Sequence, residues 1–227
     1  MGRGELVLDP RLAAMGKMVG RCARFADIGT DHGRLGAFLL QSGQCETAEL
    51  TDISGDSLAK ARALIERLGL ADRAVFSVGD GAEALTGEPE AVVIAGMGGE
   101  TIAGIVERGR ARLGKARLVL QPNVDAPLVR EALVRCGYRI QDETIVRAAR
   151  RLYVIIAAEP GSALYSEEEL CIGPVLMREK PEALGDYARF RIRVARKALR
   201  GAEGRNAAVE RALRRELEIW EGLEACL

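Results

Sequence analysis

The chain has 227 residues, enough for one substantial hydrophobic core and a small appendage. Apolar residues make up 48% of it, but they occur in runs too short to span a membrane, and Met1–Leu8 lacks the charged-then-apolar plan of a secretory signal. The five cysteines lie far apart without a C-x-x-C pair and there is one histidine, which disfavours a zinc site. We therefore expect a soluble cytoplasmic protein with no membrane or metal partner.

The formal net charge is zero, but the charges are unevenly distributed. Between Tyr187 and Arg215, ten basic residues oppose two acidic ones, which gives this segment a net charge of +8. A basic segment of this kind favours a polyanionic partner. A solvated helix face accounts for the same composition equally well.

Short apolar runs alternate with helical patterns along the first part of the chain. Asp9-Pro10 is typical of a helix start, and this helix is expected to reach about Val19. The predicted strands are residues 24–28, 48–52, 74–78, 91–95 and 117–121, and the predicted helices between and after them are 35–41, 56–68, 101–109 and 127–136. Such alternation predicts an α/β fold, with a mostly parallel sheet covered by helices on both faces.

Two more predicted strands, 138–146 and 152–158, follow one another too closely for a helix to join them. They are expected to form an antiparallel pair at the sheet edge, which gives seven strands in all. After Glu159-Pro160-Gly161 the sequence becomes polar. We therefore predict one domain over residues 1–160 and a second over residues 161–227.

The C-terminal part contains two long helical patterns, 182–200 and 206–227, separated by Gly201 and Gly204. This arrangement predicts a helical hairpin. The apolar stripes of the two helices are expected to face each other, with the arginines outside. The stripes are marked by Tyr187, Phe190 and Val194, and by Val209, Leu213, Leu217, Trp220 and Leu223.

The most informative segment follows the first predicted strand and reads D-I-G-T-D-H-G over residues 27–33. Gly29 and Gly33 allow a sharp turn and a close ligand approach, and the following helix offers free N–H groups. In a nicotinamide fingerprint, Asp31 would occupy the place of the second glycine and oppose a pyrophosphate. An acidic lining suits the sulfonium cation of S-adenosylmethionine better. A plain strand-to-helix turn would need the same glycines.

The next two strand ends carry carboxylates suited to a nucleoside. Asp52, followed by Ile53, could accept hydrogen bonds from ribose hydroxyls, whereas Asp80, between two glycines, could accept one from an adenine amino group. Each also has a purely structural explanation, because Asp52 could cap the next helix and Asp80-Gly81 could form an ordinary turn.

The fourth and fifth predicted strands also end in unusual segments. The fourth ends in A-G-M-G-G over residues 95–99, which would expose backbone beside the thioether of Met97. The fifth ends in Gln121-Pro122-Asn123. Met97 could simply be packing, and the two amides could simply tie the loop backbone. Suggestive residues on five successive strand ends nevertheless favour a single ligand site.

Three segments together resemble the TrmK family of bacterial tRNA N1-methyladenine methyltransferases. They read A-D-I-G-T-D-H-G (26–33), V-I-A-G-M-G-G (93–99) and L-Q-P-N (120–123), and the similarity extends from roughly Leu8 to Glu159. The resemblance implies a class I methyltransferase fold, which is Rossmann-like, and S-adenosylmethionine as methyl donor. It also implies methylation of the adenine at position 22 in the tRNA D arm, and the predicted hairpin matches the family's coiled-coil-like extension.

The resemblance, together with the chemistry of the reaction and the basic hairpin, gives expected roles for individual residues. The cofactor is expected to contact Asp27, Gly29, Asp52, Ile53, Gly79, Asp80, Gly81, Ala95, Gly96 and Met97. The tRNA is expected to contact Gly98, Gly99, Gln121, Asn123, Arg193, Arg196 and Arg200. Asp31 would stabilise the cationic product and His32 would orient a neighbouring group. Family members often have an aromatic residue and a proline after the D-H pair, where this chain has G-R-L-G (33–36). The resemblance therefore does not predict a residue that would stack on the target base at that edge.

Several functions remain open from sequence alone. A methyltransferase acting on another RNA or on a small molecule would have the same cofactor site, and a non-catalytic tRNA-binding protein would have the same fold. A nicotinamide oxidoreductase is disfavoured, because Asp31 opposes a pyrophosphate and no obvious catalytic Tyr-x-x-x-Lys is present. The expected function is tRNA methylation by a monomer.

Overall fold

The computed structural model describes residues 6–227. The chain divides into two compact units, of which the first ends at Ala163 and the second comprises Leu164–Leu227. Most of Met1–Leu8, on which the expectation about a secretory signal depends, lies outside the described residues. Within the described residues, no helix combines the length and apolar character that crossing a membrane requires.

The first unit alternates strands and helices as the sequence predicts. Its strands are β1 (Cys22–Ile28), β2 (Cys45–Asp52), β3 (Ala74–Val78), β4 (Ala91–Met97), β5 (Arg117–Pro122), β6 (Tyr138–Ala148) and β7 (Arg151–Pro160). Its helices are α1 (Pro10–Val19), α2 (Arg34–Gln41), α3 (Gly55–Arg67), α4 (Gly99–Arg108), α5 (Arg110–Leu113) and α6 (Ala126–Arg135), with short 3₁₀ turns at Ala71–Arg73 and Gly81–Ala84. The sequence analysis missed α5 and both 3₁₀ turns, which are too short to show periodicity.

The seven strands form one sheet in the order β3-β2-β1-β4-β5-β7-β6. The first five are parallel, and β7 lies antiparallel between β5 and β6. The predicted Rossmann-like fold with a mostly parallel sheet is therefore confirmed. Because β2 lies on one side of β1 and β4 on the other, the strand order reverses between β1 and β4. A crevice at the carboxyl ends of these strands is the expected ligand site of such a sheet.

Local signals fix the starts of the helices around that crevice. The Asp9 carboxylate accepts a hydrogen bond from the Leu12 N–H at 3.0 Å, and proline occupies the first position of α1. The Ser54 hydroxyl accepts the Ser57 N–H at 3.3 Å and caps α3. The N-cap of α3 is therefore Ser54, which leaves the Asp52 side chain for other partners.

A buried ion pair joins α6 to β6. The Arg130 Nε donates to Glu143 Oε1 at 2.7 Å, and the two side chains are only 1% and 0% exposed. On the same helix, Arg135 pairs with Glu107 at the same distance, but these side chains are 51% and 43% exposed. The two pairs have the same chemistry in very different surroundings.

The second unit contains α7 (Glu167–Ile172), α8 (Pro174–Glu179), α9 (Leu184–Ala202) and α10 (Ala207–Glu224). The last two form the predicted helical hairpin. The sequence analysis missed α7 and α8, which have six residues each and are too short to show helical periodicity. The start of α7 is nevertheless well defined, because Ser166 and Glu169 form a reciprocal capping box.

The packing of the hairpin differs from the predicted stripes. Tyr187 does pack edge-on against Trp220, with ring centroids 5.6 Å apart, but Phe190 and Val194 are 43% and 42% exposed. The buried face of α9 instead carries Ala188, Ile192, Ala195 and Leu199. Two of these four positions are alanine, so the larger exposed side chains dominated the sequence pattern and made that prediction wrong.

One hairpin arginine points inward, contrary to the prediction that the arginines lie outside. The side chain of Arg191 is only 12% exposed, pairs with Glu216 and lies 5.9 Å from the Trp220 ring centroid. The carboxylate and the aromatic face together replace the water that this guanidinium loses. The basic surface is therefore smaller than the composition suggests.

Candidate active site

A cleft of about 710 Å³ opens at the carboxyl ends of the central strands. Its size lies within the range of small-molecule sites in proteins. Five aspartates line it against three arginines, namely Asp9, Asp27, Asp31, Asp52 and Asp80 against Arg11, Arg34 and Arg151. The lining is therefore net acidic, which favours a cationic ligand over a pyrophosphate.

The glycine turn after β1 is bonded to the end of β2. The N–H groups of Gly29 and Thr30 donate to the Thr51 carbonyl at 2.8 and 3.0 Å. Gly29 has a φ of 75°, and a Cβ there would lie 2.1 Å from Met97 Cε. The backbone conformation therefore favours glycine, and a side chain at this position would also displace the end of the Met97 side chain from β4. This turn brings the ends of β1, β2 and β4 into one site.

Asp27, at the inner end of the turn, is almost fully buried. Burial raises the pKa of its carboxyl from 3.8 to about 6, the hydrogen bond from Thr30 opposes that rise, and the charge of Asp52 adds to it. The Thr30 hydroxyl donates to Asp27 Oδ2 at 2.8 Å. The pKa of Asp27 is therefore about 6, and a cationic ligand bound beside this carboxyl would favour its ionised form.

Asp52 connects the two turns that border the cleft. Its Oδ2 accepts the Asp31 N–H at 3.2 Å, and its Oδ1 accepts the Ser54 N–H at 2.8 Å. Asp31 itself has a φ of 51°, an uncommon conformation for a residue other than glycine. A carboxylate has about four acceptor positions, so Asp52 retains capacity toward the cleft.

Asp80 lies on an exposed loop after β3 and contacts Arg108 at 3.3 Å. The far end of this loop is held by Glu49 of β2, which is 9% exposed. The Glu49 carboxylate accepts hydrogen bonds from the Ser77 hydroxyl, the Thr86 N–H and hydroxyl, and the Gly87 N–H, at 2.7–3.2 Å. The loop that carries Gly79, Asp80 and Gly81 is thus fixed at both ends.

The other side of the cleft has a floor of backbone. The register between β4 and β5 shifts between Ala95 and Met97, and Gly96 has a φ of 77°. Asn123 Nδ2 donates to the Gly96 carbonyl at 2.6 Å, and the Asn123 N–H donates to the Met97 carbonyl at 2.8 Å. Asn123 therefore holds the irregular end of β4 and lines the cleft itself.

Most predicted site residues line this cleft: Asp27, Gly29, Asp31, His32, Asp52, Ile53, Gly79, Asp80, Gly81, Ala95, Gly96, Met97 and Asn123. Gln121 does not, because it is fully buried, and its Nε2 donates to Asn123 Oδ1 at 3.2 Å. Gly98 and Gly99 lie at the start of α4, outside the lining. Gln121 thus acts on the cleft through Asn123.

The two glycines at the start of α4 make a testable pair. A Cβ on Gly99 would lie 2.4 Å from the Asp125 carbonyl oxygen, whereas one on Gly98 would lie 3.9 Å from Val124 Cγ2. Gly99→Ala is expected to lower the free energy of unfolding by about 2–3 kcal/mol, since backbone must move. Gly98→Ala is expected to change it by less than about 0.5 kcal/mol. Urea unfolding measures both, and equal effects would refute this packing role.

Asp31 and His32 lie at the rim. Their side chains are 70% and 54% exposed, and His32 Nε2 lies 3.6 Å from Asp31 Oδ2. The predicted orienting role of His32 is compatible with this separation. The exposure leaves Asp31 free to approach a ligand that enters from solvent.

Arg193, Arg196 and Arg200, predicted to contact tRNA, all lie on α9 in the second unit. Arg196 pairs with Glu221 at 2.7 Å. Within residues 6–227, no acidic group is paired with Arg193, Arg200 or the nearby Lys197, and all three residues are exposed. These three cations are the uncompensated charges of α9.

The sequence analysis missed two prominent lining residues, Arg11 of α1 and Tyr153 of β7. Neither belongs to a glycine motif, and β7 enters the sheet from a position distant in sequence. The scarcity of aromatic residues, 4% of the chain, was the only available signal for Tyr153.

Fold and site together define a Rossmann-like methyltransferase, and residues 8–156 match the methyltransferase domain family. The chain belongs to the family of tRNA (adenine(22)-N(1))-methyltransferases. It is 36% identical over 184 residues to the Bacillus subtilis (strain 168) tRNA (adenine(22)-N(1))-methyltransferase, an alignment that covers 78% of this chain and 77% of that protein.

Solved structures agree with this assignment. The crystal structure of the B. subtilis M1A22 tRNA methyltransferase TrmK has a TM-score of 0.88 at 27% identity, covering 97% of this chain and 100% of that one. A Streptococcus pneumoniae structure in complex with S-adenosyl-L-methionine has a TM-score of 0.86 at 26% identity, covering 96% and 100%. The predicted family is therefore confirmed.

Proposed function

We propose that this protein transfers a methyl group from S-adenosylmethionine to N1 of the adenine at position 22 in the D arm of bacterial tRNA. The observation that carries the proposal is the acidic cleft over the strand-order reversal, in a chain of this family. The family resemblance supports the target nucleotide, and the cleft supports the chemistry.

The residues present fit the cofactor. When bound, S-adenosylmethionine supplies a methyl group carried on a sulfonium cation. Asp52, with acceptor capacity left over from its two backbone hydrogen bonds, suits the ribose hydroxyls, and the exposed Asp80 suits the adenine amino group. The buried Asp27 places negative charge beside the glycine turn. Those three carboxylates lie at or just after the carboxyl ends of β1, β2 and β3, on one side of the sheet.

The reaction needs no general base, because N1 of adenine has a free lone pair at neutral pH. The N1–carbon bond forms as the sulfur–carbon bond breaks, the electron pair of the broken bond goes to sulfur, and no proton moves. Positioning in this cleft can supply roughly 7–11 kcal/mol of the barrier. The methylated base is cationic, so we assign Asp31 to stabilise it and His32 to orient the Asp31 carboxylate.

The target base must leave the tRNA stack to reach the cleft, at a cost of a few kcal/mol. Phosphate contacts that do not read sequence can offset this cost. The three uncompensated cations of α9 supply such contacts. We therefore propose the hairpin as a docking surface for the tRNA backbone.

Replacing Arg193, Lys197 and Arg200 together by glutamine is expected to weaken tRNA binding and to flatten its salt dependence. Each lost phosphate contact should lower the slope of log K against log salt by about 0.7–0.9, or roughly 2–3 for all three. Binding titrations at several salt concentrations measure this slope.

Arg196 is the comparison variant: the sequence predicts that it contacts the tRNA, but in the structure its guanidinium pairs with Glu221 at 2.7 Å. If that pair keeps Arg196 away from phosphate, Arg196→Gln should change the slope by well below the roughly 0.7–0.9 expected for one lost phosphate contact. If the triple variant binds tRNA like the wild type at every salt concentration, the hairpin is not the docking surface.

The function itself is tested by transfer of labelled methyl from S-adenosylmethionine to unmodified bacterial tRNA, followed by nucleoside digestion. Labelled N1-methyladenosine that disappears when adenine 22 is replaced supports both chemistry and target. A different labelled nucleoside would overturn the substrate. Absence of transfer despite cofactor binding would favour a binding-only role.

A further inference from the structure

Arg11 and Tyr153 build one wall of the cleft, and no step above uses them. The Arg11 guanidinium lies 5.3 Å from the centroid of the Tyr153 ring. Its Nη1 donates to Gln121 Oε1 at 2.8 Å. The same Nη1 would be 3.9 Å from a Cβ on Gly96. Arg11 thus extends from the aromatic ring to the backbone floor of the cleft.

The position of this wall separates it from the cofactor carboxylates. Those carboxylates lie at or just after the carboxyl ends of β1, β2 and β3, whereas Gly96, Gln121, Asn123 and Tyr153 belong to β4, β5 and β7 or directly follow them. The strand order places these two groups on opposite sides of the β1–β4 boundary. We take this β4–β5–β7 side as the acceptor half of the cleft, with Gly96 at its boundary with the cofactor.

The chemistry of the wall suits a planar base. Tyr153 is half-buried and lines the same cleft as Gly96, where the absence of a side chain leaves the backbone accessible. A cation held against an aromatic ring restrains the orientation of that ring. The hydrogen bonds from Arg11 to Gln121 and from Gln121 to Asn123 then fix the amide that lines the floor.

We infer that Tyr153 is the surface on which the target adenine stacks, and that Arg11 is the positioning residue that holds both the Tyr153 ring and the Gln121–Asn123 pair. This inference rests on the proposed function, because it names where the acceptor base of that reaction lies. It adds a stacking surface on β7, away from the D-I-G-T-D-H-G turn.

Steady-state methyl transfer by Tyr153→Ala and Tyr153→Phe tests the stacking. Alanine is expected to lower kcat/KM for tRNA by about 5- to 150-fold, the range that base–aromatic stacking covers. Phenylalanine should stay within about threefold of the wild type, because it keeps the ring. The Kd of S-adenosylmethionine should change by less than about twofold in both, since the ring faces the acceptor half.

Arg11→Ala tests the positioning role. It should lower kcat/KM for tRNA, and the Arg11→Ala/Tyr153→Ala variant should lose little more than Tyr153→Ala alone, because Arg11 acts through the ring. Arg11→Lys should not restore activity, because an ammonium lacks the planar fork that spans Gln121 and the ring.

The matched control is Arg62→Ala, which removes a cation from a second such pair, 4.4 Å from the Phe76 ring and outside the cleft. It should leave kcat/KM for tRNA unchanged. The inference is overturned if Tyr153→Ala keeps wild-type kcat/KM, or if it weakens cofactor binding as much as it weakens use of tRNA. Failure of the proposed function looks different, because the wild type itself would then transfer no methyl to tRNA.

Discussion

S-Adenosylmethionine is expected to bind about tenfold more weakly at about pH 5 than at about pH 8. Burial raises the pKa of the Asp27 carboxyl to about 6, so this group becomes protonated over that interval. A sulfonium cation favours the ionised form, and binding weakens by up to about tenfold for each pH unit below the pKa. Calorimetric titration across this pH range measures the effect.

The same pKa shift has the opposite sign for stability without cofactor. Burial raises the pKa of Asp27 from 3.8 in a model peptide to about 6, so the folded chain holds this proton more tightly than the unfolded chain. The stabilising contribution of the protonated carboxyl is present below about pH 4 and is lost as the pH rises through about 6. At pH 8 the ionised side chain therefore destabilises the unliganded fold.

Asp27→Asn separates these two consequences. At about pH 8 it is expected to raise the free energy of unfolding by up to about 3 kcal/mol while weakening cofactor binding. It should also remove the pH dependence of binding between 5 and 8. Asp80→Asn is the control, which should weaken binding but keep the wild-type pH profile. An Asp27→Asn variant that still loses affinity on acidification would assign the titration to another group.

Glu143→Ala is expected to lower the free energy of unfolding by about 3–5 kcal/mol. The variant leaves the Arg130 guanidinium, 1% exposed, without the carboxylate at 2.7 Å that compensates its charge. A well-packed apolar pair, Arg130→Met with Glu143→Leu, should recover most of the loss, because no charge then remains buried. Urea unfolding of the three proteins measures these differences.

Glu107→Ala is the matched control, because Glu107 of α4 pairs with Arg135, which lies on the same helix as Arg130, and these two side chains are 43% and 51% exposed. Water solvates the remaining guanidinium there, so the expected change is below about 1 kcal/mol. Similar losses in Glu143→Ala and Glu107→Ala would show that burial does not set the strength of these pairs.

The sheet was predictable because its strands are short apolar runs separated by glycine turns, and the structure keeps each of them within a few residues of the predicted ends. Elements without such a signal were not predictable from the sequence. Three of the six residues of α7 are glutamates, and the helix is too short to show an apolar period, so only its capping box marks it in the sequence.

The cofactor half of the site was predictable for a related reason. Asp27 and Asp52 lie at the carboxyl ends of their predicted strands and Asp80 lies shortly after the next one, and the ends of parallel strands meet at one edge of the sheet. Arg11 and Tyr153 come from the first helix and the antiparallel β7, so only tertiary packing brings them together. A motif glycine can also be needed for packing, because a Cβ on Gly99 would lie 2.4 Å from the Asp125 carbonyl oxygen.

Glu49 determines how much freedom the adenine side of the cleft retains. Its four hydrogen bonds to residues 77, 86 and 87 order the loop around Asp80 before any nucleoside arrives. Ordering a loop at the moment of binding costs conformational entropy and weakens affinity. In this protein the loop loses that entropy during folding, so binding of a nucleoside is opposed mainly by the entropy that the nucleoside itself loses.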